Sequence, residues 1–332
     1  MSNSSFVHLH IHSEYSLSDG IVRIPQLIAK TRDLGQPAVA ITDQNNLFCT
    51  VKFFRAAVTA GIKPIIGSEI WLGDENAKIP RSRLILLCKN IEGYRQLSRL
   101  VTRSYREGQV RGVPIVNIDW IDRPGTDQLI CLSGGREGDV GISVAAGKSD
   151  EAKERANYWQ EMFGDRYYLE LTRTNRPGEP ELCSASVEIA GELGLPIVAT
   201  NDVRFVDRDG FDAHEARVCI NSGRMLGDPR RERPYSQDQY LKSADEMIEL
   251  FRDIPSAIEN SINIAMRCNV ALELGTYHMP AFPVEPESSV DQTLRDQTST
   301  GLTERWDALV NLGQTGGREW SQYEDRVAQE LD

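Results

Sequence analysis

The sequence predicts an α/β fold made of parallel βα units curled into a distorted barrel, a relative of the (β/α)8 type. Three observations carry that reading. Short apolar runs, several rich in Val and Ile and bounded by Gly, Pro, Asp or Asn, read as strands at residues 6–12, 37–42, 63–72, 83–88, 129–133, 167–171 and 196–200. Stretches with helical apolar spacing lie between most of them, at 24–34, 47–60, 93–106, 152–163 and 179–193. The competing architecture, an open doubly wound sheet of the dinucleotide-binding kind, is disfavoured because no GxGxxG follows the first run: residues 12–20 read HSEYSLSDG.

The helical assignments rest on one-sided apolar faces. In 179–193 that face is Leu182, Ala185, Val187, Ile189 and Ala190. Residues 207–270 read as helical, with segments at 213–220, 245–251 and 255–268. The texture then changes. Residues 277–289 (YHMPAFPVEPESS) hold three prolines and no helical period, so they read as a linker that includes His278. Helical spacing returns at 292–312 and 320–331, the last running almost to the final residue without a cap, as in a truncated chain. Residues 1–275 therefore form the expected barrel domain, and 276–332 a linker and the beginning of a further region.

Composition narrows the function classes. The chain has 332 residues, a formal net charge of -12 and 26% charged residues. That acidity argues against a principal DNA-binding surface, which needs clustered Lys and Arg. It suits a metal site or a protein–protein role. Cys49, Cys88, Cys131, Cys183, Cys219 and Cys268 are scattered, with no zinc-finger spacing, as expected of reduced thiols in a cytoplasmic protein. The amino terminus has no signal-peptide pattern and no apolar run reaches membrane-span length, so no membrane partner is expected.

In a parallel barrel the chemistry gathers at the carboxyl ends of the strands. The first run carries His8, His10 and His12 at a spacing of two, which predicts three imidazoles on one strand face, with Asp19 just beyond. The other ends offer Asp43 and Gln44, Glu69, Arg83 at the start of its run, Ser133-Gly134-Gly135, Glu170, and Asp202 followed by Arg204. Paired imidazoles with carboxylates from other strands outline a site for zinc, manganese or iron. His214 reads as a structural helix-start residue, and the basic run RMLGDPRRER as a solvated loop diluted by its acids. SGGREG is a weak phosphate-cradle signal.

Six segments carry a resemblance: FVHLHIHSEYSLSDG, AITDQNNL, GIKPIIGSEI, LSGGREGDVG, LPIVATNDVRF and DAHEARVCI. In this order and spacing they resemble the motifs of the PHP (polymerase and histidinol phosphatase) domain at the amino terminus of bacterial DNA polymerase III α subunits. The resemblance continues through YHMPAFPVEP toward what would be the thumb and palm. It implies a distorted (β/α)7 barrel and, in intact members, a trinuclear metal site. His10, His12, Asp19, Glu69 and Asp202 match ligand positions. Gln44 stands where that pattern has His, Arg83 where a His is expected, Gly135 in place of Cys or His, and Arg204 in place of a His. Arginine cannot ligate a cation, because its guanidinium keeps its protons. It can replace missing metal charge among Asp19, Glu69 and Asp202.

The resemblance further implies a bracing module that docks a proofreading 3′–5′ exonuclease subunit and joins the remainder of an α subunit. DNA and Mg2+ would be handled by polymerase residues outside this chain, so no catalytic residue is assigned here. One Zn2+ or Mn2+, or none, is expected at the residual site. The alternative is an active metal-dependent phosphoesterase or 3′–5′ exonuclease. It is favoured by His10, His12, Asp19, Glu69 and Asp202 and opposed by Gln44, Arg83, Gly135 and Arg204. An ordinary barrel enzyme acting on a small acidic metabolite has no specific support.

Overall fold

A computed structural model describes residues 6–73, 82–277 and 279–332; His278 lies outside the described residues. The chain divides into two compact units, up to Leu272 and Glu273–Asp332. The strands are β1 (Ala38–Ile41), β2 (Lys63–Gly73), β3 (Ser82–Cys88), β4 (Gln109–Val110), β5 (Val113–Pro114), β6 (Val116–Asn117), β7 (Leu129–Leu132), β8 (Tyr167–Thr172) and β9 (Ile197–Thr200). The helices of the first unit are α1 (Ile24–Asp33), α2 (Thr50–Thr59), α3 (Ile91–Glu107), α4 (Arg123–Thr126), α5 (Asp139–Ala145), α6 (Ser149–Phe163), α7 (Glu179–Leu193), α8 (Phe211–Ser222), α9 (Ala244–Leu250) and α10 (Pro255–Arg267). In the second unit α11 (Val290–Asn311) and α12 (Trp320–Leu331) meet where Trp306 packs on Trp320 and Tyr323, with ring centroids 5.4 and 5.5 Å apart.

The main sheet runs β1-β2-β3-β7-β8-β9, with β6 beside β2, and the small hairpin β4-β5 stands apart. Two expectations are corrected here. First, the sheet is not all parallel: β3 pairs antiparallel with both β2 and β7. Apolar patterning reports burial, not direction, so the reversal was invisible in sequence.

Second, residues 6–12 do not form a regular strand. They close the barrel between β1 and the residues after β9 through Ala40 N–H to His8 O, Thr42 N–H to Ile11 O, His12 N–H to Val203 O and Val203 N–H to His10 O. The ladder is interrupted because side chains take two of its donors. Val7 N–H donates to Ser261 Oγ and Ile11 N–H to Thr42 Oγ1. This segment completes the distorted (β/α)7 barrel.

The barrel interior is apolar at the end that α10 covers. Val7, Leu9, Ala38, Ala40, Ile65, Ile85, Leu87, Ile130, Leu132 and Val198 cluster there with Ile264, Ala265 and Cys268 of α10. A second layer lies outside the sheet, where α1 and α2 pack Ile24, Leu27 and Phe53 against Val39 and Ile41. Alternate residues of β1 thus face opposite layers, as a strand buried on both sides requires. All six cysteines are buried free thiols. Among the described residues no helix is long and apolar enough to cross a membrane.

Candidate metal centre

The reversal of β3 explains how Arg83 reaches the site. In an antiparallel strand the first residues lie at the end where the parallel strands finish, so Arg83 joins Glu69 of β2 and Asp202 after β9. Arg83 lies over the Trp71 ring, 4.3 Å from its centroid. Its Nη1 donates to Glu69 Oε1 at 3.1 Å, and its Nη2 lies 3.7 Å from Asp19 Oδ2.

Arg204 is fully buried. Its Nε and Nη2 reach Asp202 Oδ1 at 2.8 and 2.6 Å, and its Nη1 lies 3.4 Å from Asp19 Oδ2. Asp202 itself sits at φ 43°, a left-handed conformation that Asp tolerates better than most residues. The Gln44 amide donates to Asp19 Oδ2 at 3.3 Å and Glu69 Oε1 at 3.2 Å.

His10 and His12 are brought together; His8 is not. His10 Nδ1 bonds Glu170 Oε1 at 2.8 Å, and its Nε2 lies 3.1 Å from His12 Nε2, 3.2 Å from Glu69 Oε2 and 3.6 Å from Asp202 Oδ1. His8 Nε2–H donates to Lys242 O at 2.8 Å, and its ring meets Phe6 edge-on. The expectation of three imidazoles on one face fails because residues 6–12 lack regular strand geometry. Gly135 has φ +53°, and a Cβ there would stand 3.6 Å from Glu170 Oε2, which has no hydrogen-bond partner. The neighbouring glycines serve close packing: a Cβ on Gly138 would lie 1.7 Å from Ser133 O.

Sequence reasoning missed several members of this group. Arg176, buried just past β8, reaches Asp202 Oδ2 and Glu137 Oε1 at 3.3 Å each and Glu179 Oε1 at 3.0 Å. Gln239 donates to Asp202 Oδ2 at 2.8 Å. The Tyr235 hydroxyl donates to Asp19, and His214 lies against Tyr235 with Nε2 3.4 Å from Asp19 O. Only Arg176 had a usable signal, its position beyond a strand's carboxyl end.

Opposed charges set the protonation pattern. Burial works to raise Asp19 and Glu69, but Arg204 and Arg83 outweigh it for Asp19, and Arg83 and His12 for Glu69. Both stay below the usual carboxylate range. Asp202 is lowered in the same way, with burial overcome by Arg204 and His10. Burial opposes a charged His10, yet Glu170 and Asp202 push it up to about 10. His12, under burial and Arg204, is lowered. The two imidazoles are therefore in different states.

The residues present fit one cation. Bonds of about 2.0–2.2 Å in a tetrahedral shell give ligand–ligand edges of roughly 3.3–3.6 Å. His10 Nε2, His12 Nε2 and Glu69 Oε2 are separated by 3.1, 3.2 and 3.6 Å. Two triads, His10-His12-Asp202 and His12-Asp19-Glu69, could each hold an ion. Glu170 orients His10 from behind, as carboxylates do for metal-binding imidazoles. A second ion would have to compete for Asp19, Glu69 and Asp202 with the guanidinium groups of Arg83 and Arg204, which pair with them. The mouth opens into a cavity of about 580 Å³ whose lining includes Leu17, Asp19, Gln44, Phe48, Trp71 and Arg83.

Residues 8–174 match the PHP domain family. The chain belongs to that family. The chain is 46% identical over 331 residues to the DNA polymerase III subunit alpha of Pseudomonas fluorescens, covering 99% of this chain and 28% of that protein. It is 44% identical over 336 residues to the DNA polymerase III subunit alpha of Escherichia coli (strain K12), covering 100% of this chain and 28% of the relative. The PHP chain thus spans about a quarter of the length of the relatives it matches. Among solved structures, a putative metal-dependent phosphoesterase from Bifidobacterium adolescentis aligns at 12% identity and a TM-score of 0.40, over 60% of this chain and 87% of that one.

Proposed function

We propose that this PHP domain is the amino-terminal bracing module of a cytoplasmic replicative DNA polymerase α subunit, and that it docks a proofreading 3′–5′ exonuclease subunit. On this reading residues 1–275 are the PHP barrel and 276–332 lead toward the thumb and palm. Mg2+-dependent nucleotide addition belongs to polymerase residues outside this chain. DNA is held mainly by that core. The relatives' names support the polymerase context.

One observation carries the bracing role. Three guanidinium groups, those of buried Arg176 and Arg204 and of partly buried Arg83, stand among Asp19, Glu69 and Asp202, where a multinuclear centre would need cations instead. They supply positive charge without a Lewis acid or an activated water. Arg83, Arg204, Gln44 and Gly135 are thus degenerate ligand positions, and His10, His12, Glu69, Asp19 and Asp202 a residual set for at most one Zn2+ or Mn2+.

The second reading, an active metal-dependent phosphoesterase or 3′–5′ exonuclease, is favoured by the 3.1–3.6 Å convergence of His10, His12 and Glu69. Metal content by mass spectrometry, on untagged protein purified without chelators, separates the two. The bracing reading expects one ion or fewer per chain, no hydrolysis of single-stranded DNA and no primer extension by the 332-residue chain. Two or more ions with nuclease activity that Glu69→Gln abolishes would replace it with the phosphoesterase reading.

A further inference from the structure

We propose that Ser16 and Asp43 are positioning residues that hold His12 in a single tautomer, with its proton on Nδ1 and the lone pair of Nε2 turned into the centre. The inference deepens the residual-site reading above and rests on it for its purpose, though not for its geometry.

The assignment follows from counting donors around one hydroxyl. Ser16 Oγ has three neighbours: Asp43 Oδ1 at 2.6 Å, the Gln44 N–H at 3.1 Å and His12 Nδ1 at 3.0 Å. A serine hydroxyl has one proton and two lone pairs. The Gln44 amide can only donate, so it takes one lone pair.

Asp43 is surrounded by donors. The Ser13 N–H reaches its Oδ1 at 2.7 Å, and the Ser13 hydroxyl and Cys49 thiol reach its Oδ2 at 2.7 and 3.2 Å. It is placed as a carboxylate acceptor, so the Ser16 proton goes to it. Only the second lone pair of Ser16 is left for His12, and His12 Nδ1 must carry a proton to use it.

The reverse tautomer would turn the Ser16 proton toward His12. It would leave two oxygen atoms 2.6 Å apart in the interior with no proton between them, a repulsion in place of a hydrogen bond.

The consequence lies on the other side of the ring. His12 Nε2 faces His10 Nε2 at 3.1 Å and Glu69 Oε2 at 3.6 Å, and in this tautomer it can accept a hydrogen bond or ligate a cation without first losing a proton. The two imidazoles are oriented by different routes. Glu170 holds His10 directly, whereas Asp43 holds His12 through one hydroxyl.

The test is long-range proton–nitrogen NMR on the metal-free 332-residue chain with 15N-labelled histidine, the His12 signals being assigned by their loss in His12→Gln. The expected result is one pyrrole-type nitrogen at Nδ1 and one pyridine-type nitrogen at Nε2. Ser16→Ala should lose that single tautomer, and Ser16→Thr, which keeps the hydroxyl, should restore it. Asp43→Ala frees the Ser16 hydroxyl to donate and should move the proton toward Nε2. Circular dichroism reports whether each variant is folded; the wild-type spectrum decides the tautomer even if none is. Calorimetric titration with Zn2+ should show about 10–100-fold weaker binding in Ser16→Ala. A proton on Nε2 in the wild-type chain, or a folded Ser16→Ala with an unchanged tautomer, overturns the proposal. A wild-type chain that shows the Nδ1–H tautomer but takes up no Zn2+ upholds the relay and sinks only the residual-ion reading.

Discussion

Leu9 and His10 are neighbours in one extended segment, yet they belong to different regions of the barrel interior. Leu9 clusters with Ala38, Ile65, Ile85 and Val198 at the end covered by α10. His10 sits among Glu69, Glu170 and Asp202 at the mouth. At the covered end each side chain contributes roughly in proportion to the apolar area it removes from water. At the mouth, desolvation of every charge is a cost, offset only while its partner is present. One end is thus graded in its response to mutation, and the other is closer to all-or-none.

The largest test of that contrast is Arg204→Met. It removes the nearest counter-charge of Asp202 and one of the two guanidinium partners of Asp19, and should destabilise the chain by about 3–5 kcal/mol in urea unfolding. Adding Asp202→Leu should return a good part of that loss, because removing both partners costs less than orphaning one. A double variant no better than the single one would mean that Arg204 acts through packing on Tyr235 and not through charge.

Acid titration probes both regions. Burial lowers His8 from 6.5 to about 4, and burial with Arg204 does the same to His214. Between those values the unfolded chain binds protons that the folded chain does not, so stability falls as pH falls from 6.5 to 4, by up to about 1.4 kcal/mol per pH unit for each group. Asp19, Glu69 and Asp202 have depressed folded values, so the stability they contribute is present above the ordinary carboxylate pKa and lost as pH drops below it. Melting temperature measured from neutral pH to below the carboxylate range should show both limbs, and His8→Asn should make the upper one shallower, with His214 keeping the rest, and leave the lower one unchanged.

Smaller effects sharpen the comparison. Gly135→Ala has room for its Cβ, 3.6 Å from Glu170 Oε2, but its φ of +53° should cost about 1 kcal/mol in thermal unfolding. Ile85→Val at the covered end should cost about 0.5–1.5 kcal/mol with no change in metal content. An Ile85→Val chain that lost bound metal would show that the two ends are coupled.

Much of this was legible in the sequence, since it is local. Six of the apolar runs became strands β1, β2, β3, β7, β8 and β9, and α7 and α12 fall on the expected residues 179–193 and 320–331. A period of two or 3.6 in apolar residues registers burial directly. The grouping of His10, His12, Asp19, Gln44, Glu69, Arg83, Asp202 and Arg204 followed from their places at strand ends and from the family motifs.

Tertiary structure alone decided what depends on pairing between distant segments. The direction of β3 is set by its neighbours β2 and β7, and an apolar run reads the same in either direction. His8 parted from His10 and His12 because Ser261 and Thr42, remote in sequence, took donors that a regular ladder would have used. Arg176 stands just past a strand's carboxyl end, but its pairing with Asp202 was decided by how the β8 loop turns it inward. Residue types and their strand-end positions are written in the chain. Which lone pair faces which proton is fixed only when the folded packing removes every other partner.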